Sequence, residues 1–140
     1  MPSLSQFSRC LFFILLSMIV TQCADKSVEE NLADGIKFTE DRQYLRALDA
    51  FQQAVAKEPG NPKAHYSLGG IYNLMNRLPE AEQEFKIALK IDPTYVDAIY
   101  SLGFTYELMG DKEKAQPYYD KYNKLKQKWN EVLQKESETR

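Results

Sequence analysis

Residue types that commonly carry catalysis or metal binding are scarce in this 140-residue chain. There is one histidine, His65, and the two cysteines, Cys10 and Cys23, both lie in the first 23 residues. Ser67 and Ser101 are candidate nucleophiles, but no recognisable motif places a base beside either of them. The carboxylates are scattered over polar segments, where a solvated role is the usual one. We therefore expect no enzyme activity, no metal site and no cofactor.

Composition and charge indicate one compact, nearly neutral domain. The hydrophobic content of 44% is ordinary for a folded protein. The 18 Lys and Arg residues against 20 Asp and Glu residues give a formal charge of −2. Such a chain has no overall attraction to a phosphate backbone, so nucleic acid is not an expected partner.

The N-terminus has the layout of an export signal. An uncharged, largely apolar run at residues 10–20 follows Arg9 and the chain amino group, and polar residues come after it. A short positive region, an apolar stretch of about 7–15 residues and a processing site are typical of secretory signals. A membrane-spanning helix needs roughly 20 apolar residues, which is more than this run supplies. We therefore expect residues 1–22 to be a signal peptide.

The stretch Val20-Thr21-Gln22-Cys23 resembles the lipobox of bacterial lipoproteins. A branched apolar residue stands three positions before the cysteine, while Gln22 takes a place that usually holds Gly or Ala. The resemblance implies lipidation of Cys23, a short tether at residues 23–27 and a membrane-anchored protein of the bacterial envelope, periplasmic or outer-membrane. Two alternatives remain: ordinary cleavage, which would release a soluble periplasmic or secreted protein, and an uncleaved anchor.

From residue 28 onwards the sequence repeats with a period of 34 residues, in blocks at residues 28–61, 62–95 and 96–129. Each block has glycine at position 8, an aromatic residue at positions 11 and 24, and alanine at position 20. Since glycine averages about 7% of residues, three glycines in register have a chance probability on the order of 0.0003. The residues in these packing columns are Gly35, Phe38, Ala47, Phe51, Gly69, Tyr72, Ala81, Phe85, Gly103, Tyr106, Ala115 and Tyr119.

The columns and the residues between them predict a helix, a turn and a second helix in each block. Small residues at helical spacing let two antiparallel helices approach closely, and aromatic side chains fill the space beside them. Ser27 and Glu30 have the spacing of a capping box, and Asn61 followed by Pro62 is typical of a helix start. We expect seven helices at most.

The second block resembles the tetratricopeptide repeat, whose signature is W-x2-L-G-x2-Y, then A-x3-F, then P. The matching residues are His65, Leu68, Gly69, Tyr72, Ala81, Phe85 and Pro93. The resemblance implies an all-α fold: a right-handed α-solenoid of three helix-turn-helix repeats plus an extended C-terminal helix. It places His65 at the family's tryptophan position, which implies a packed ring. Asn31 and Asp34 depart from the pattern, as expected for a terminal repeat whose outer face meets water.

In this family the concave surface is built from positions 2, 5, 9, 12 and 13 of each first helix. These positions hold Glu29, Leu32, Ile36, Thr39, Glu40, Lys63, Tyr66, Gly70, Asn73, Leu74, Asp97, Tyr100, Phe104, Glu107 and Leu108. The set is more apolar than an unused surface requires, which is typical of an interaction site. The candidate partner-binding residues are Tyr66, Gly70, Asn73, Leu74, Tyr100, Phe104, Glu107 and Leu108, with Asn73 expected to hydrogen-bond to the backbone of the partner.

The resemblance also allows one kind of partner to be set aside. Some family members bind a peptide's C-terminal carboxylate through a set of Lys, Asn and Arg side chains. The corresponding residues here do not match, so chaperone tails are not expected partners; they are Leu32, Ile36, Ser67, Asp97 and Ser101.

The C-terminal segment departs from the repeat, because Gln127 replaces the proline that would end the last helix. We expect this helix to run from about residue 115 to 135, with Pro117 delaying its start or bending it, and residues 130–140 to form a helical extension and polar tail. An apolar seam on it could cap the stack or form a dimer or partner contact, whereas its lysines (121, 124, 126 and 128) are interpreted as a solvated face. The seam residues are Tyr122, Leu125, Trp129, Val132 and Leu133.

Together these patterns predict an adaptor or scaffold at the bacterial envelope that binds a protein segment in its concave groove. The alternative is a self-associating structural subunit of an envelope complex, possible as a homodimer through the C-terminal seam. A binder of small ligands or envelope polymers is the third hypothesis, disfavoured because three repeats make an open surface.

Overall fold

The computed structural model describes residues 26–138, which form six helices and no strand. The helices are α1 (Val28–Glu40), α2 (Tyr44–Lys57), α3 (Pro62–Leu74), α4 (Leu78–Ile91), α5 (Val96–Leu108) and α6 (Lys112–Glu138). Consecutive helices pack into three hairpins, and each hairpin stacks on the next. The expected fold class, an all-α solenoid of three repeats with an extended last helix, is confirmed.

Several expectations concern residues for which no structure is described. The signal peptide at residues 1–22 and the lipidation site Cys23 lie outside residues 26–138, as do the last two residues of the polar tail. Within residues 26–138, no helix combines the length and apolar character needed to cross a membrane.

Side-chain caps fix where the first helix of a hairpin begins. The predicted capping box is present: Ser27 Oγ accepts from the Glu30 backbone N–H at 3.1 Å, and Glu30 Oε2 accepts from the Ser27 backbone N–H at 2.7 Å. At the start of α3, Asn61 Oδ1 accepts from the backbone N–H groups of Lys63 and Ala64. These bonds satisfy N–H groups that have no partner within the helix.

The turn inside each hairpin uses a left-handed residue at one block position. Arg42 and Asn76 both have φ of 57°, and Gly110 has φ of 80°. The three residues are spaced by the 34-residue period, so the same reversal of the chain recurs in every repeat.

The two helices of a hairpin approach most closely where a glycine meets an aromatic ring. A Cβ atom added to Gly35 would lie 2.3 Å from the Phe51 ring, and one added to Gly69 would lie 2.8 Å from the Phe85 ring. At Gly103 the corresponding distance to the Tyr119 ring is 3.1 Å. The first two distances are too short for real atoms, so glycine is required there for the helices to reach this spacing.

The last helix differs from the expectation in both its limits. It begins at Lys112 and includes Pro117, so of the two expected effects of this proline, a delayed start or a bend, the delayed start is wrong. Pro117 lies one and a half turns into the helix, where its missing N–H removes a single backbone bond. The Asp111 carboxylate accepts from the Lys114 backbone N–H at 3.1 Å and stabilises the start that precedes it.

The first repeat also departs from expectation at Asn31. This side chain was expected to face water at the end of the stack, but it is buried, and its Nδ2 has no hydrogen-bond partner among the described residues. An unpaired buried donor costs about 1–3 kcal/mol, so this side chain destabilises the first repeat.

Neighbouring glycines in α3 provide a test of this packing. Gly69→Ala should lower the free energy of unfolding by about 1–3 kcal/mol, because the new methyl group overlaps the Phe85 ring. Gly70→Ala should raise it by about 0.5–1 kcal/mol, because its Cβ would meet nothing within 4 Å and alanine favours helix. Urea unfolding followed by circular dichroism measures both changes, and equal effects of the two substitutions would contradict the packing.

Candidate protein-binding surface

The first helices of the three hairpins lie side by side, since α1 contacts α3 and α3 contacts α5. Their shared face carries what we call the inner groove, defined by Ile36, Gly70, Leu74, Phe104 and Leu108. Its four large side chains are between 42% and 55% exposed. Gly70 occupies the block position held by Ile36 and Phe104, and it has open space where its Cβ would be. Apolar side chains therefore surround a position that carries no side chain.

Two predicted binding tyrosines have different surroundings. Tyr66 is half-buried, with its ring 5.9 Å from that of Phe85 and 5.2 Å from that of Tyr95, so it forms part of the groove floor. Tyr100 is exposed, and its ring lies 5.6 Å from Tyr119 and 5.2 Å from Tyr122 of α6. Because α6 contacts only α5 among the described helices, it supports Tyr100 without covering the groove.

Asn73 uses one of its two side-chain N–H groups in a hydrogen bond within the protein. Its Nδ2 donates to Thr105 Oγ1 at 2.9 Å, and the Thr105 hydroxyl lies 2.7 Å from the Ser101 carbonyl oxygen, to which it donates. The second Asn73 N–H can still serve a partner's backbone. Sequence reasoning missed the buried Thr105, although it takes the block position of the buried Ile71, where a polar residue indicates an internal hydrogen bond.

The charges around the groove are mostly negative. Glu29, Glu40, Asp97 and Glu107 are exposed, and Lys63 is the single cation at the concave positions predicted from the sequence. Glu107 Oε2 also accepts from the Tyr119 hydroxyl at 2.6 Å. Burial, followed by this bond to a carboxylate, raises the pKa of Tyr119. The rim thus favours a partner that carries positive charge.

One residue expected on this surface lies elsewhere. Leu32 is buried in the core, so the prediction that it lines the concave surface is wrong. Its side chain belongs to the same apolar core cluster as Ala47 and Phe51 of α2.

His65 has no nitrogen available for catalysis. The ring is 6% exposed, with Nδ1 2.6 Å from Glu84 Oε2 and Nε2 3.0 Å from the Pro59 carbonyl oxygen. A carbonyl oxygen can only accept, so Nε2 carries a hydrogen. The ring therefore links the start of α3 to α4 and to the preceding turn. Among residues 26–138, no cluster of three or more His, Cys, Asp or Glu side chains could hold a metal ion.

The seam residues of α6 divide into two groups. Tyr122 and Leu125 are half-buried, whereas Trp129, Val132 and Leu133 are exposed. Every described residue from position 126 onwards is exposed. Trp129 and Val132 line an apolar cavity together with Leu125 and Thr94, and they remain exposed.

The repeat region of the chain matches family profiles and parts of two other proteins. Two profiles described as tetratricopeptide repeat match residues 38–96 and 84–117. The chain is 35% identical over 60 residues to protein bimA of Emericella nidulans and 33% identical over 73 residues to the probable UDP-N-acetylglucosamine–peptide N-acetylglucosaminyltransferase SPINDLY of Solanum lycopersicum. These alignments cover 43% and 52% of this chain but 7% and 8% of the relatives. The chain thus spans less than a tenth of either relative.

Solved structures of other proteins have a similar solenoid fold. The crystal structure of MamA matches with a TM-score of 0.72 and 26% identity over 76% of this chain and 63% of that one. The second repeat domain of Spaghetti bound to an HSP90 peptide matches at 0.69 and 19%, covering 72% and 94% of the two chains. The TPR2B domain of yeast Sti1 in complex with pHsp70 matches at 0.71 and 16%, covering 74% and 83%. The last two show a likeness of fold alone.

Tyr95, whose ring packs against that of Tyr66, leads to a prediction of how stability depends on pH. Burial, with a smaller effect of Tyr66, raises the pKa of Tyr95 to about 12, whereas a tyrosine in an unfolded chain titrates near pH 10. Its contribution to stability is therefore complete below pH 10 and is lost as the pH rises towards 12. Tyr95→Phe should lose less stability than the native chain over this interval. Melting temperatures at pH 8 to 12 measure this, and parallel curves above pH 10 would contradict it.

Proposed function

Because residues 38–117 are tetratricopeptide repeats, we propose that the protein is a scaffold that holds a segment of another protein in its inner groove. The observation that carries the proposal is the exposure of four large apolar side chains around Gly70, where an added Cβ would meet nothing within 4 Å. An apolar cluster with a polar rim is typical of protein interfaces. The Spaghetti domain bound to an HSP90 peptide has the same fold, so a solenoid of this kind is able to hold a peptide.

The groove would bind its partner by removing apolar side chains from water. Leu74, Phe104 and Leu108 would contact apolar side chains of the partner, and the free N–H of Asn73 would donate to its backbone. The carboxylates of the rim would select a segment with lysine or arginine and speed its association. The open shape suits a chain segment better than a small molecule, which needs an enclosed site.

The N-terminal pattern supports a location at a bacterial envelope membrane. In this proposal the chain is cleaved after Gln22 and acylated at Cys23, and each buried methylene of the acyl chains contributes about 0.8 kcal/mol to membrane binding. Few residues separate Cys23 from the helix cap at Ser27, a reach of roughly 14 Å when extended. The scaffold would then hold its partner close to the bilayer.

Photocrosslinking in intact cells tests the groove. A photoactivatable residue in place of Phe104 in the full chain should form adducts with a partner protein on irradiation, because this side chain would lie within the contact. The matched control replaces Leu45, which is 73% exposed on α2, away from the groove. A lack of adducts at position 104, or the same adducts from position 45, would contradict the proposed function.

Metabolic labelling with a fatty acid tests the anchor. The native chain should incorporate label and Cys23→Ala should not, because that thiol would carry the lipid. Cys10→Ala is the control and should label like the native chain, since Cys10 lies within the removed segment. Equal labelling of the native chain and Cys23→Ala would rule out the lipoprotein assignment.

A further inference from the structure

We propose that His65 is a buried imidazolium that links the first repeat to the second, and that this link weakens when the ring loses a hydrogen at alkaline pH. The inference does not depend on the proposed function, because it concerns the junction between two hairpins and involves no partner. It assigns a role to a histidine that the binding surface does not use.

Both ring nitrogens of His65 face oxygen atoms that accept hydrogen bonds. Nε2 lies 3.0 Å from the Pro59 carbonyl oxygen in the turn before α3, and Nδ1 lies 2.6 Å from Glu84 Oε2 of α4. A neutral imidazole has one N–H and can donate to only one of two acceptors, whereas the imidazolium donates to both. The ring is buried, so water has little access to a nitrogen that lacks a partner. The geometry therefore favours the imidazolium.

The alternative arrangement places the hydrogen on Glu84, whose carboxyl group would then donate to a neutral ring. In water an imidazole takes up a hydrogen at about pH 6.5 and a glutamate carboxylate at about pH 4.3, so the hydrogen prefers the ring. The Glu84 side chain is 17% exposed against 7% for His65, and its contact with water favours an ionised carboxylate. A charge is tolerated inside a fold when it is paired and hydrogen-bonded, as it is here.

Other charged side chains on the elements around the ring have different partners or face water. Glu58, in the turn before α3, accepts from Asn61 Nδ2 at 2.8 Å. Glu80, one turn before Glu84 on α4, accepts from Arg77. Glu84 is therefore the charged group that sets the protonation of the ring. The exposed charged residues on these elements include Glu29 of α1, Lys57 of α2, Lys63 of α3 and Asp97 of α5.

The two members of this pair occur together only in the second repeat. In the first and third repeats the same two block positions hold side chains that cannot form such a pair, namely Asn31 with Ala50 and Ile99 with Tyr118. An asparagine amide and an isoleucine do not take up a hydrogen at ordinary pH. The effect of pH is therefore confined to the junction between the first and second hairpins.

The pair makes stability depend on pH in one direction. In an unfolded chain the ring loses its second hydrogen at about pH 6.5. The native pair holds that hydrogen more strongly, so its contribution to stability is complete below this pH and is lost as the pH rises further. After the loss, one N–H faces two acceptors, and either α4 or the turn loses its bond to the ring. Because Ile36 and Leu74 belong to different hairpins, the part of the inner groove between them loosens at the same time.

Nitrogen NMR of the isotope-labelled full chain in a non-ionic detergent tests the protonation directly. His65 is the single histidine of the sequence, so its ring signals are unambiguous when the affinity tag contains no histidine. At pH 7 the two ring nitrogens of the native chain should resonate close together, as in an imidazolium. In Glu84→Gln they should lie far apart, as in a neutral ring, because the opposite charge is gone. Glu113→Gln, which removes an exposed carboxylate of α6, should resemble the native chain.

A neutral ring in the native chain at pH 7 would overturn the inference, and this result requires no variant. An imidazolium that persists in Glu84→Gln at pH 7 would also overturn it, because the carboxylate would then not be what holds the second hydrogen.

Unfolding in urea shows whether this hydrogen stabilises the fold. In Glu84→Gln the amide can donate to Nδ1 of a neutral ring, so the variant keeps both contacts without a charge. Between pH 6 and 9 the equilibrium constant for unfolding of the native chain should rise at least about tenfold relative to that of Glu84→Gln, the factor expected for a hydrogen bond between charged groups. Circular dichroism follows unfolding and verifies that both chains are folded beforehand. The same change with pH in both chains would overturn the inference.

Discussion

The contact on which this molecule depends is the close approach of a glycine in each first helix to an aromatic ring in the second. At Gly35 and Gly69 no side chain could be added without overlapping the ring. The contact directs one face of each first helix into its own hairpin, and an adjacent face, about 100° around the helix, is left for the inner groove. The lack of a side chain at these glycines therefore lets the two helices pack closely, and it also determines which face of the first helix remains for the binding surface.

Polar contacts connect the second and third repeats. Glu82 of α4 accepts from the Tyr106 hydroxyl at 2.8 Å and from the Lys86 ammonium, and those bonds hold the pKa of Glu82 below its usual range. On the groove side, Asn73 donates to Thr105 across the same junction. Hydrogen bonds at two places on one junction leave little freedom for the helices to slide, so Leu74 and Phe104 keep a fixed separation.

The 34-residue period made the hairpins and packing columns predictable, because every contact that builds one repeat recurs in the next. Most misplaced residues are those whose environment does not recur. Leu32 is buried, whereas Tyr66 is half-buried and Tyr100 is exposed at the same block position. Asn31 is the exception, because its position is also buried at His65 and Ile99, so the period itself indicated its burial. Thr105 depends on a partner 32 residues away. The expectation that Pro117 delays the helix start follows a rule for helix interiors. Pro117 lies near the start of α6, where the Asp111 cap stabilises the first turn and outweighs that effect.

The outer face of the third hairpin differs from the faces of the earlier hairpins at the same block positions. The earlier hairpins have a fully buried alanine at position 27, Ala54 and Ala88, where the third has the half-buried Tyr122. At position 28 the apolar Val55 and Leu89 give way to the exposed Asn123. A further hairpin could not approach this face as closely as the earlier ones approach each other. Trp129, Val132 and Leu133 follow this face along α6 and are exposed, so they take no part in the stacking of the hairpins.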